Sequence, residues 1–119
     1  IPIEDIIIDP LVMTVGHNSN AAIVTLKTIE LVKKEFGVNI SLGASNVSFG
    51  LPDRYLLNST FLALAIQAGA TCCITDPVKL GGSIRATDLL LGKDANSIRY
   101  LKYFRATEKL REQEAAAKA

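Results

Sequence analysis

An α/β fold of parallel strand-helix units is what this sequence predicts, and three observations carry the prediction. Short β-branched or apolar runs without polar alternation occur three times, the pattern of strands covered on both faces. Each run leads into a polar turn and then into apolar residues at helical spacing. The 119 residues and 12.8 kDa suit one core, so residues 1–119 are expected to form a single domain.

The first unit opens with Asp5-Ile6-Ile7-Ile8-Asp9 and is expected to extend through Leu11, Val12 and Val15. Gly16 to Asn20 supplies turn and N-cap residues, after which Ile23, Leu26, Ile29 and Val32 or Phe36 recur at helical spacing until Gly37 stops the helix. The second strand, Val38 to Ala44, ends in the polar turn Ser45-Asn46-Val47-Ser48-Phe49-Gly50. Pro52-Asp53 then opens a helix through Leu56, Phe61, Leu64 and Ile66, closed by Gly69. A third strand, Thr71 to Thr75, stops at Asp76-Pro77, and a helix carrying Ile84, Leu89 and Leu90 is expected after Gly81-Gly82, with Gly92 beyond its end. A last helix starts near Asp94 or Asn96 and carries Ile98, Leu101, Phe104 and Leu110. It decays over 106–119 into a helix-prone tail without an apolar face, expected to be solvated or frayed.

Parallel neighbours need right-handed crossovers through these helices. Three such strands leave two open edges and buried-type residues without cover, which invites association, so a homodimer or larger assembly through the sheet edges is expected. A complete (β/α)8 barrel takes about 250 residues, and this chain is a little under half of that. Hydrophobic residues make up 49% and charged residues 21%, which excludes a disordered chain. The net charge of +1 without a basic run speaks against a nucleic-acid partner, and no apolar stretch reaches the roughly 18 residues of a membrane span. A cytoplasmic protein is the expectation. The adjacent Cys72 and Cys73 cannot close a loop and read as buried thiols. His17 is the only histidine, and no Cys/His cluster has metal-ligand spacing, so no metal site is expected.

Ligands of parallel α/β folds gather at the carboxyl ends of the strands, where this chain places Asp9, Asn46 and Asp76. Asp9 and Asp76 each precede a proline, which alone makes a clean strand exit. For Asp76 that structural role and a binding role stand level. Gly43 lets a flat ligand approach the backbone or marks a bulge. Arg54 sits at the mouth of the same end, either solvated or facing an anion. Asn58, inside a helix where asparagine is a poor former, points to a tertiary hydrogen bond.

Ile8-Asp9-Pro10-Leu11-Val12, Leu42 to Arg54, Asn58-Ser59-Thr60-Phe61-Leu62 and Ile74-Thr75-Asp76-Pro77 resemble the last three strand-helix units of the methyltetrahydrofolate:corrinoid methyltransferases. These are pterin-binding TIM barrels related to dihydropteroate synthase and to the pterin domain of cobalamin-dependent methionine synthase. The likeness runs to about Arg105, and its core is the eight-residue block Ser45-Asn46-Val47-Ser48-Phe49-Gly50-Leu51-Pro52. It implies that the chain is the carboxyl-terminal part of a (β/α)8 barrel, about three units plus a terminal helix.

The resemblance also implies a reaction: the N5-methyl of methyltetrahydrofolate passes to the cobalt of a corrinoid, a cobalamin, carried by a partner protein. Asn46 matches the family's asparagine at N5, where a carboxamide both donates and accepts as the nitrogen's charge changes. Asp9 suits a pterin edge, because a carboxylate accepts an amino and a ring N–H side by side. Gly43, Ser45 and Asp76 complete the expected binding set, and Arg54 is expected to meet the glutamate tail of folate. The synthase has an Arg-Lys pair after the serine of the second strand turn, where this chain has Asn46 and Val47. It also ends its last strand in Arg-x-His, against Ile74-Thr75-Asp76 here. Methyl transfer is therefore favoured over a synthase-like condensation. A different class of reading is a barrel piece that is inactive and serves only as a self-associating scaffold. Both agree that the isolated chain binds folate weakly or not at all, since the family's pocket also draws on earlier strands.

Overall fold

The computed structural model describes residues 1–118; Ala119, the last residue of the expected tail, lies outside them. Three strands, β1 (Ile7–Ile8), β2 (Asn39–Gly43) and β3 (Cys72–Ile74), form one parallel sheet in the order β1-β2-β3. Helix α1 (Ala21–Phe36) joins β1 to β2, and α2 (Arg54–Ala68) joins β2 to β3. Helices α3 (Pro77–Leu90) and α4 (Ile98–Lys118) follow.

The first strand is much shorter than its β-branched run suggests. Asp9-Pro10 ends it, and Leu11 takes a left-handed φ of 56°, which no strand contains. Residues from Leu11 to Asn20 form a loop instead, tied to the turn after β2 by the Val15 N–H donating to the Val47 carbonyl at 3.1 Å.

Strand residues alternate between the two faces. Ile40 and Leu42 are completely buried against the helices, and their partners Ile8 and Cys73 are half-buried. The alternate set is uncovered: Ile7 is 64% and Ile74 71% exposed, in register with Asn39 and Gly43. The strands are thus covered on one face only, which corrects the two-sided burial expected from their apolar runs. The same opening overturns the reading of both cysteines as buried, since Cys72 is exposed and Cys73 half-buried. Burial raises the Cys73 thiol above its ordinary value, and the neighbouring Cys72 adds to the rise.

The core lies between the covered face and the helices, built on Ile29 of α1, Ile40 and Leu42 of β2, and Phe61, Leu62 and Ala65 of α2. Helical spacing located α1 correctly, but the buried stripe is Ala21, Thr25 and Ile29, while Ile23 and Phe36 stay exposed. In α2 the stripe is Asn58, Phe61, Leu62 and Ala65, with Leu56 and Leu64 outside it. Gly37 ends α1 at φ 62°, in the left-handed region that glycine enters at little cost.

Helix α3 begins at Pro77, four residues before Gly81, and so includes the glycine pair expected to precede it. Asp76 supplies the cap: its Oδ1 accepts from the N–H of Val78 at 3.0 Å and of Lys79 at 3.3 Å. Inside the helix Gly82 allows α4 close, because a Cβ there would stand 3.2 Å from Cε1 of Tyr103. Asp94 anchors α4 by accepting from the N–H of Arg99 at 3.0 Å and of Tyr100 at 2.9 Å. The helix then continues through the expected tail to Lys118, exposed from Lys109 onward. None of the described helices is long and apolar enough to cross a membrane.

Candidate functional site

Parallel strands bring their carboxyl ends to one end of the sheet, so Asp9 follows β1, Ser45 and Asn46 follow β2, and Thr75 and Asp76 follow β3. The central member is a 3₁₀ turn over Ala44–Ser48, exposed at Ser45 and Asn46 and buried at Ala44, Val47 and Ser48. Burial of Val47 and Ser48 roots the turn in the core while its first polar pair faces water.

Two sets of hydrogen bonds fix that turn. From the loop after β1, Thr14 Oγ1 donates to the Asn46 carbonyl at 3.0 Å. From α2, Arg54 Nη2 donates to the Ser45 carbonyl at 2.8 Å, and Arg54 Nε donates to Ser48 Oγ at 2.9 Å. Ser48 Oγ in turn donates to Asn58 Oδ1 at 2.7 Å. Ser48 is wholly buried, so these contacts replace the water its hydroxyl loses. Asn58 therefore makes the tertiary bond that its helical position suggests. Arg54 is neither free nor simply solvated, and it also stands over the Phe49 ring at 5.9 Å.

The Asn46 carboxamide is exposed and makes no hydrogen bond among the described residues, while its backbone is held on both sides. Asp9 is exposed, and its Oδ1 accepts from the Leu11 N–H at 2.9 Å, leaving Oδ2 uncommitted within the protein. Gly43 is paired regularly with Ile74, so no bulge marks it. Its φ of −86° suits any residue, and a Cβ there would meet nothing within 4 Å. Neither backbone nor packing requires glycine at that point.

Ser45, Arg54 and Asp76 meet around a cavity of about 320 Å³, together with Tyr55, Thr75 and Lys79. Asp9, Gly43 and Asn46 do not line it. A wider concavity, about 880 Å³, lies between the loop after β1 and the turn before α2, lined by Thr14, His17, Phe49 and Leu51. None of the expected residues borders it, so size alone does not locate the chemistry. No group of three or more His, Cys, Asp or Glu residues that could hold a metal ion occurs among the described residues.

Sequence reasoning passed over Thr14, Ser48 and Lys79. Ser48 stands inside the polar turn three residues after Ser45, and Lys79 stands three residues after Asp76 in the first turn of α3, both usable signals; Thr14 has none, because only tertiary structure brings it to this end.

Residues 1–76 match the family described as pterin binding enzyme. The chain is 37% identical over 101 residues to a methylcorrinoid:tetrahydrofolate methyltransferase of Eubacterium limosum, an alignment covering 82% of this chain. It spans 37% of that relative's length. The matched segment contains all three strand ends and the turn that carries Asn46. The chain belongs to the pterin binding enzyme family.

Proposed function

We propose that this chain is the carboxyl-terminal part of a pterin-binding (β/α)8 barrel that moves a methyl group between N5 of a reduced folate and the cobalt of a corrinoid carried by a partner protein. The observation that carries the reading is the Asn46 turn: an uncommitted carboxamide on a backbone fixed by Thr14 and Arg54. The relative's printed name, which joins a methylcorrinoid to tetrahydrofolate, supports it. The uncovered sheet face supports the barrel placement, since the interior-facing residues of a barrel strand have no helix over them.

Breaking the N5–methyl bond leaves its electron pair on N5, and the amine departs well only if that charge is stabilised. A carboxamide carried on a fixed backbone offers a donor at that point, and a donor aimed where charge develops lowers the barrier. When the methyl moves the other way, N5 begins as a nucleophile, the carboxamide oxygen accepts a hydrogen bond from its N–H, and the proton itself passes to solvent as the new bond forms. Both directions share one transition state, so one residue serves both. The free carboxylate oxygen of Asp9 is available to the pterin edge, and Gly43 leaves open space beside it for a flat ring.

In the protein that carries this chain, Asn46→Ala should slow methyl transfer by about 10²–10³-fold, as loss of a single transition-state donor does, with folate affinity little changed. Unchanged turnover, or a loss confined to affinity, would contradict the role.

A further inference from the structure

The cavity between the ends of β2 and β3 carries a pair of cations with different duties. Arg54 spends Nε on Ser48 and Nη2 on the Ser45 carbonyl, so its guanidinium is locked in place with Nη1 still available. Lys79 lines the same cavity and is in no ion pair among the described residues. Asp76 also borders it, yet its Oδ1 is occupied by the first turn of α3. Thr75 Oγ1, at the end of β3, is buried and has no hydrogen-bond partner among the described residues. At about 320 Å³ the space is the size of a small-molecule subsite, and it begins at Ser45, one residue from Asn46.

We infer that Lys79, with Arg54 as the fixed member, forms a subsite for the carboxylate-bearing tail of the substrate, and that Lys79 makes the site prefer tailed over tail-less pterins. The inference rests on the pterin reading above and adds a residue and a specificity to it. A carboxylate is the fitting ligand because a guanidinium and an ammonium at one cavity recognise an oxyanion. The single Asp76 charge does not cancel two cations, and its cap role keeps it at the helix end.

The test uses the full protein, with 5-methyltetrahydrofolate, its triglutamate form, and a 5-methyltetrahydropterin lacking the benzoyl-glutamate tail. Lys79→Met should weaken both tailed ligands roughly fivefold, the size expected of one partly exposed ion pair, leave the tail-less pterin unchanged, and lessen the salt dependence of folate binding. Lys79→Arg should restore most of the affinity. Millimolar phosphate should compete with folate more strongly than with the tail-less pterin. Equal losses for tailed and tail-less ligands, or no loss for any, would overturn the subsite while leaving the pterin site standing. Failure of the unaltered protein to bind any pterin would overturn both.

Discussion

The division of labour around Asn46 is set by which atoms are already occupied. Its carbonyl is taken by Thr14, and its carboxamide is left to the solvent. Ser48 and Asn58 are the reverse case, buried polar side chains that satisfy each other and hold Arg54. Asp94 shows how strongly local donors act on a carboxylate. The N–H of Arg99 lowers its pKa against the opposing effect of burial, and the Tyr100 N–H and Arg99 guanidinium, 3.6 Å away at Nε, lower it further. A carboxyl depressed in the folded state stabilises it above the ordinary carboxylate range, and that contribution is lost as pH falls through the lowered value. Asp94→Asn should therefore reduce stability at neutral pH, and denaturant titrations should show the gap to the unaltered protein closing in acid. A gap that stays constant down to strongly acidic pH would contradict the assignment.

The elements themselves were readable wherever their endings are chemical. Asp-Pro after β1 and β3, Gly37, Gly69 and Gly92 are signals that act locally, and the structure places a boundary at each. Helix faces were less readable, because Ile23, Leu56 and Leu64 are as apolar as the residues that became core, and only the neighbouring helices decide which stripe is buried. Gly81-Gly82 misled for a similar reason: they thin α3 for Tyr103 rather than starting it. Gly69 has a sharper duty. At φ 130° it ends α2, and a Cβ would stand 3.0 Å from Lys33 Cγ. Gly69→Ala should cost about 1–3 kcal/mol, measured as a lower denaturation midpoint at unchanged m-value. A neutral effect would show that the backbone there relaxes freely.

At the scale of the molecule the sheet has one face under helices and one without, and the second carries Ile7 and Ile74. The apolar runs gave the strands but not their one-sided cover, since a strand that faces water through Ile7 has the same composition as one sealed on both sides. The candidate site was legible to the extent that strand ends are: Ser45, Arg54 and Asp76 share a cavity as their positions suggest, whereas Asp9, Gly43 and Asn46 stand outside it. Thr14 joins that end only through the fold, whereas Lys79 follows Asp76 in the first turn of α3. An uncovered face of this kind should drive the isolated chain to associate, so its sedimentation coefficient should rise with concentration. A concentration-independent monomer would contradict this.

The proposed methyl transfer turns on the Asn46 carboxamide reaching N5 of a reduced pteridine. A crystal structure of the full protein with methyltetrahydrofolate measures it most directly. A carboxamide oxygen or nitrogen should stand within about 2.7–3.2 Å of N5, with the turn over Ala44–Ser48 unmoved. A bound folate whose N5 lies out of hydrogen-bond reach of Asn46 would contradict it.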